Sequence, residues 1–113
     1  MRLADQPLST HSRQLLTRTE IDPLLADLPA WQLVEIDDVP RLTKSYAFSN
    51  FAEALAFTTQ VGQLAEAENH HPALLTEWGK VTVSWWTHSL GGVQRNDLIM
   101  ASRTDRLLET AGH

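Results

Sequence analysis

Residues 66–97 read EAENHHPALLTEWGKVTVSWWTHSLGGVQRND, and how this stretch is parsed decides the fold. His70 and His71 end a long segment of helical apolar spacing and Pro72 closes it, so both imidazoles stand where the chain must leave the helical path, facing a cleft or solvent. After Pro72, Ala73 to Trp78 read as a short strand and Gly79-Lys80 as a tight turn. Val81 to Thr87 then alternate, with Val81, Val83 and Trp85 on one face and Thr82, Ser84 and Trp86 on the other, which is the period of a half-buried strand. His88 continues the second set at the strand's end. Gly91-Gly92 breaks the chain, and a last helix from about Gln94 to Glu109 carries Leu98, Ala101 and Leu108 inward.

Upstream, Asn50 and Glu53 stand at the spacing of a helix cap, and Phe51, Leu55, Thr58, Val61 and Ala65 recur along one face of a helix over residues 51–69. Its last turn places Glu66 four residues before His70, a spacing that brings carboxylate and imidazole together and predicts Glu66 as the group that orients His70. Before it, Trp31 to Ile36 and Leu42 to Phe48 are aromatic and β-branched segments joined by the turn chemistry of Asp37-Asp38-Val39-Pro40, hence an antiparallel hairpin. Thr17-Arg18-Thr19-Glu20 has the form of a capping box and opens a short helix carrying Ile21, Leu24, Leu25 and Leu28; Pro23 within it allows a start at Asp22 instead. The order is α-β-β-α-β-β-α. It predicts an α+β single domain: a four-stranded antiparallel sheet with three helices packed on one face. Residues 1–16 are expected to be a flexible N-terminal segment and residues 17–110 the domain.

Composition narrows the function. The 113 residues hold 42% hydrophobic and 20% charged side chains, the balance of a globular domain with one modest core. A formal net charge of -5 with nine scattered Lys and Arg argues against nucleic acid or an anionic membrane as partner. There is no cysteine, which removes disulfides and thiolate chemistry. No apolar run approaches the ~20 residues of a membrane span, and Met1 to Gln14 lack the apolar core of a signal peptide, so a cytoplasmic location is expected.

The chemistry-bearing residues are Glu66, His70, His71, His88 and Asp97. Histidine gives and takes protons near neutrality because its ordinary pKa is ~6.5, so three of them at one place point to acid/base work. No serine sits in a Gly-x-Ser-x-Gly elbow, and neither a phosphate-binding glycine loop nor a dinucleotide fingerprint is present. A zinc site is the competing use of three histidines, but adjacent helical side chains diverge by about 100°, an awkward arrangement for one ion, so no metal is expected. Taken singly, His70-His71 also fit a polar helix end, His88 a strand-end hydrogen bond, Glu66 a solvated helix residue, and Asp97 a charge on the last helix's dipole. His11 and His113 lie in terminal segments and carry no argument. Trp86, on the face opposite Trp85, is a candidate subunit contact.

Glu66-x-x-x-His70-His71-Pro72, Trp78-x-x-Val81-x-Val83, Thr87-His88, Gly91-Gly92 and Asp97 together resemble the signature of the pterin-4a-carbinolamine dehydratase family, with the order of elements matching over residues 17–109. That resemblance implies removal of water from a 4a-hydroxytetrahydropterin to give the quinonoid dihydropterin, in tetrahydrobiopterin recycling for an aromatic amino-acid hydroxylase. It implies His70, His71 and His88 as catalytic residues, Glu66 and Asp97 as supporting carboxylates, and Thr87, Trp78 and Pro72 as substrate contacts. No cofactor is implied, since the pterin is the substrate, and a homodimer or homotetramer is. The fold is also known in binding and assembly proteins, which gives a non-catalytic alternative. Two positions depart from the family's pattern: Leu74 stands where an aromatic residue is common, and Gln94 where Ser or Thr usually caps the last helix.

Overall fold

The computed structural model describes residues 2–10 and 12–110. His11 and His113 therefore lie outside the described residues. Its main elements are α1 (Arg18–Leu24), β1 (Gln32–Ile36), β2 (Val39–Ala47), α2 (Phe51–Glu68), β3 (Ala73–Glu77), β4 (Lys80–Trp85) and α3 (Arg95–Thr110), in the expected order. Thr17 caps α1 by accepting from the Glu20 amide while Glu20 accepts from the Thr17 amide, the reciprocal box that the sequence predicts. Pro23 falls in the last turn of α1, so the helix starts at Arg18 and not at Asp22.

The strands form one antiparallel sheet in the order β1-β2-β4-β3. Asp37 and Asp38 both adopt positive φ (53° and 65°), a two-residue reversal whose twist suits a hairpin and which Asp tolerates better than most residues. The strand therefore resumes at Val39, three residues earlier than the sequence pattern placed it. One face of the sheet carries Leu42, Tyr46, Val81, Val83 and Trp85, all buried beneath the helices. Fully burying a side chain of this size contributes ~1.5–3 kcal/mol, so this layer is the main source of stability. The other face is open, with Thr43 bonded to Ser84 and Ser45 to Thr82 across the strands.

On α2 the buried stripe is Ala54, Phe57, Val61 and Ala65. Phe51 and Leu55, expected on the inward face, are instead 44% and 49% exposed. Asn50 does cap α2 through the Glu53 amide, and Glu53 reaches back to the Ser49 amide. α3 is buried more completely than its pattern foretold, with Leu98, Ile99, Met100 and Ala101 all sealed. The reason is a cover on its second side: Leu3–Asp5 form a 3-10 turn packed on α3, with Leu3 and Ala4 buried, where a loose N-terminal segment was expected. Asp105 of α3 closes the core from within. It accepts from Lys44 Nζ (2.8 Å), Trp31 Nε1 (3.1 Å) and the Tyr46 hydroxyl. No helix among the described residues is long and apolar enough to cross a membrane.

Candidate active site

α2 stops at Asn69, whose left-handed conformation (φ 50°, ψ 43°) turns the chain out of the helix. The Asn69 amide donates to Glu66 O and the His70 amide to Ala65 O (3.1 Å), the paired closing bonds of a Schellman stop. His70 thus leaves the helical path one residue early. Its side chain swings to α3 instead of lying above Glu66, and its Nε2 lies 2.6 Å from Asp97 Oδ1.

Asp97 is fully buried and saturated. Its Oδ2 accepts from the Thr87 hydroxyl and from the Gln94 amide, both at 2.8 Å. The second bond caps α3 from its own third residue, which offsets the poor cap at Gln94. Asp97 therefore closes the start of α3 and also holds His70, the contact expected of Glu66. Gln94 is buried as well: its Oε1 lies 3.1 Å from the Thr87 hydroxyl and its Nε2 donates to Ser12 O. Because a carboxylate only accepts, the neutral His70 ring carries its proton on Nε2 and leaves Nδ1 as the lone-pair nitrogen. The ring is parallel to the Trp85 indole, with centroids 5.8 Å apart, which fixes its plane.

His71 points outward, and Glu66 pairs with it, not with His70 as the i, i+4 spacing predicted. Glu66 is 77% and His71 51% exposed, so this is a surface pair. Beyond β4, Thr87 bridges to Gly92 and the chain makes a 3-10 turn over His88–Leu90, closed by Gly91 at φ 66°. His88 consequently sits on a turn, not on the strand continuation expected for it. Its Nε2–H donates to His71 O (3.1 Å), and its ring stacks on Trp86 at 4.2 Å. Arg41 lies 4.0 Å over the other ring system of that stack, against Trp86.

His70, His71, Thr87 and His88 line one open depression of about 310 Å³, with Asn69 and Ser89 completing its rim. Pro72 begins the turn into β3 beside it. Trp78 does not join them: it is 74% exposed in the turn at the far end of the β3-β4 hairpin, about 16 Å away at ~3.3 Å per strand residue. Leu74 faces the helices and packs on the core. The three Nε2 atoms go to three different partners, Asp97, Glu66 and the His71 carbonyl, an arrangement for orienting three separate imidazoles. Among the described residues no group of three or more acidic or histidine side chains could hold a metal ion. The sequence reading missed Gln94 as a link in this network and Trp85 and Trp86 as ring supports.

Comparison with known proteins shows the family. The family model for Pterin 4 alpha carbinolamine dehydratase matches residues 14–107. The chain belongs to the pterin 4-alpha-carbinolamine dehydratase family. It is 58% identical over 100 residues to the "Putative pterin-4-alpha-carbinolamine dehydratase" of Microcystis aeruginosa, covering 88% of this chain and 85% of that protein. A protein of the same name from Syntrophotalea carbinolica is 58% identical over 95 residues, or 84% and 85% of the two chains. Among solved structures, the transcriptional coactivator/pterin dehydratase from Brucella melitensis superposes with a TM-score of 0.74 at 32% identity, covering 83% of this chain and 98% of that one. A pterin dehydratase-like RuBisCO assembly factor of the alpha-carboxysome shares the fold, with a TM-score of 0.58 at 24% identity over 69% of this chain and 88% of its own.

Proposed function

We propose that the chain dehydrates a 4a-hydroxytetrahydropterin by general acid/base catalysis. The observation that carries this is the buried Asp97 holding His70 by Nε2 at the wall of a depression that His71 and His88 share. In the reaction a base removes the proton from N5, the C4a–N5 double bond forms, and the C4a–O bond breaks as an acid protonates the departing hydroxyl. Water leaves, the quinonoid dihydropterin remains, and no electron is exchanged. His70 and His88 are the proton-transfer pair, each with Nε2 spent on an acceptor and Nδ1 left for chemistry. His71, more exposed, contacts the pterin or its hydroxyl, with Glu66 orienting it.

The product would be reduced again for an aromatic amino-acid hydroxylase, in the cytoplasm and with no bound cofactor. A homodimer or homotetramer is supported by the unpaired outer edge of β3 and by exposed Leu75, Trp78, Phe51 and Leu55. Those exposed side chains also favour the second reading, a binding or assembly role in which the histidines are not used. Stopped-flow absorbance separates the two. Sub-stoichiometric protein should speed decay of enzymatically generated 4a-hydroxytetrahydropterin, and unaltered decay with folded protein would leave the binding role.

A further inference from the structure

Toward the far end of α3 from Asp97 lies a cavity of about 370 Å³ that shares no lining residue with the histidine depression. Ser102, Asp105 and Glu109 enter it from one stripe of α3, at helical spacing. Lys44 and Tyr46 enter from β2, and Asp27 and Pro29 from the segment that leads into β1. Arg2 enters from the N-terminal strap, which Arg103 fastens to α3 through the Ala4 and Gln6 carbonyls. Asp105 stands two helical turns beyond Asp97, about 12 Å along the axis, so the cavity is separate from the site already described.

Its inner wall offers more donors than its own acceptors take up. Lys44 is largely buried and uses one of its three N–H groups, on Asp105 Oδ1 at 2.8 Å. Ser102 is only 5% exposed, and its hydroxyl has no partner among the described residues. Thr104, two residues on, instead returns its hydroxyl to the Met100 carbonyl. A buried hydroxyl left unpaired costs free energy until an acceptor reaches it. The mouth has the opposite balance. Arg2 and Glu109 neutralise each other at 2.8 Å, while the Asp27 carboxylate has no partner among the described residues. Pro29 and Leu108 give the space an apolar flank.

We propose that this cavity binds a small zwitterion, a free amino acid with an apolar side chain. Its carboxylate accepts from Lys44 and Ser102, its ammonium meets Asp27, and its side chain lies on Pro29 and Leu108. The charge pattern selects this class. A simple anion enters a cavity with three carboxylates against two cations and leaves Asp27 unpaired. A simple amine satisfies Asp27 but leaves the donors of Lys44 and Ser102 without an acceptor. The zwitterion serves both ends and adds no net charge. This goes beyond the dehydratase reading and stands independently of it.

The test is isothermal titration calorimetry of the full chain with L-leucine, isocaproate and isoamylamine, the last two being leucine without its ammonium and without its carboxylate. Leucine should bind with a Kd of about 1 mM or below, and each analogue about tenfold more weakly, the worth of one hydrogen-bonded charged end. Ser102→Ala and Asp27→Asn should each weaken leucine binding about three- to tenfold. Ser102→Ala also removes an unpaired buried hydroxyl, so without leucine the variant should be at least as stable to urea as the wild type, which a structural role for the hydroxyl would not give. Leucine binding no tighter than that of either analogue, or unchanged by Ser102→Ala and Asp27→Asn together, would overturn the inference. So would a Ser102→Ala protein less stable than the wild type, or no heat of leucine binding at about 10 mM.

Discussion

Asp97 Oδ1 stands 2.6 Å from His70 Nε2, joining the first turn of α3 to the residue just beyond the end of α2 across 27 positions of sequence. The carboxylate is completely buried, and its other oxygen serves Thr87 and Gln94. Replacing Asp97 by Asn keeps the shape but puts an amide donor in reach of Nε2, which would favour the tautomer with its proton on Nδ1. A base then becomes a donor. Turnover of the carbinolamine should fall by about 10²-fold or more, with an altered pH–rate profile, since positioned acid/base groups are worth ~10²–10⁴-fold. Steady-state rates across pH check this; an unchanged profile would show that the tautomer does not matter.

Glu66→Gln should behave differently. The Glu66–His71 pair is largely exposed, and such pairs are screened and worth roughly 0–1 kcal/mol. Turnover should change less than about threefold, and any change should shrink as salt is added. A loss as large as that of Asp97→Asn would mean Glu66 takes part in the proton transfer itself.

The contrast between these two carboxylates shows where sequence spacing misleads. Glu66 and His70 are four apart, and on a continuous helix they would meet. Asn69 in the left-handed conformation ends the helix first, so the histidine that comes back to Glu66 is His71. Asp97 was legible as a candidate because a carboxylate five residues past the Gly91-Gly92 break belongs at a helix start, but its contact with His70 is long-range and leaves no local mark. The strands and caps were legible from alternation and from Thr17–Glu20 and Asn50–Glu53. On α2, large residues drew attention to Phe51 and Leu55, while the buried stripe runs through Ala54 and Ala65, whose small side chains give close packing against the sheet but weak apolar signal. The N-terminal strap was unreadable for a related reason: it has no periodicity, and its partners Arg95, Arg103 and Arg106 lie some ninety or more residues away.

A buried polar cluster away from the histidines should govern stability, not turnover. Asp105→Ala removes the acceptor for Lys44, Trp31 and Tyr46 together and leaves a half-buried ammonium unpaired. Breaking a buried pair by deleting one partner costs about 3–5 kcal/mol, and urea unfolding should report a loss toward that size, reduced by the partial exposure of Lys44. Catalysis by the remaining folded protein should be close to wild type.

Tyr46 adds a pH dependence. Burial first, and the neighbouring Asp105 second, push its hydroxyl far above the ordinary value of 10.0. The unfolded chain then releases this proton near pH ~10 while the folded chain keeps it, so the contribution is full below about pH 10 and declines as pH rises beyond it. Tyr46→Phe should be less stable at neutral pH and show a shallower alkaline decline. Parallel alkaline declines for the two proteins would remove Tyr46 as the cause.

Assembly is open to a direct check. β3 is an edge strand, and Leu75 and Trp78 are 57% and 74% exposed on its hairpin. Size-exclusion chromatography with light scattering should give twice or four times the 12.7 kDa chain mass. A strictly monomeric species at micromolar concentration would contradict the oligomer.

The most direct test of the central claim is stopped-flow decay of 4a-hydroxytetrahydropterin with wild-type protein and with His70→Ala. The predicted result is clear acceleration by the wild type and a turnover lowered about 10²–10⁴-fold in the variant. A His70→Ala protein that turned over the carbinolamine at the parent rate would contradict it.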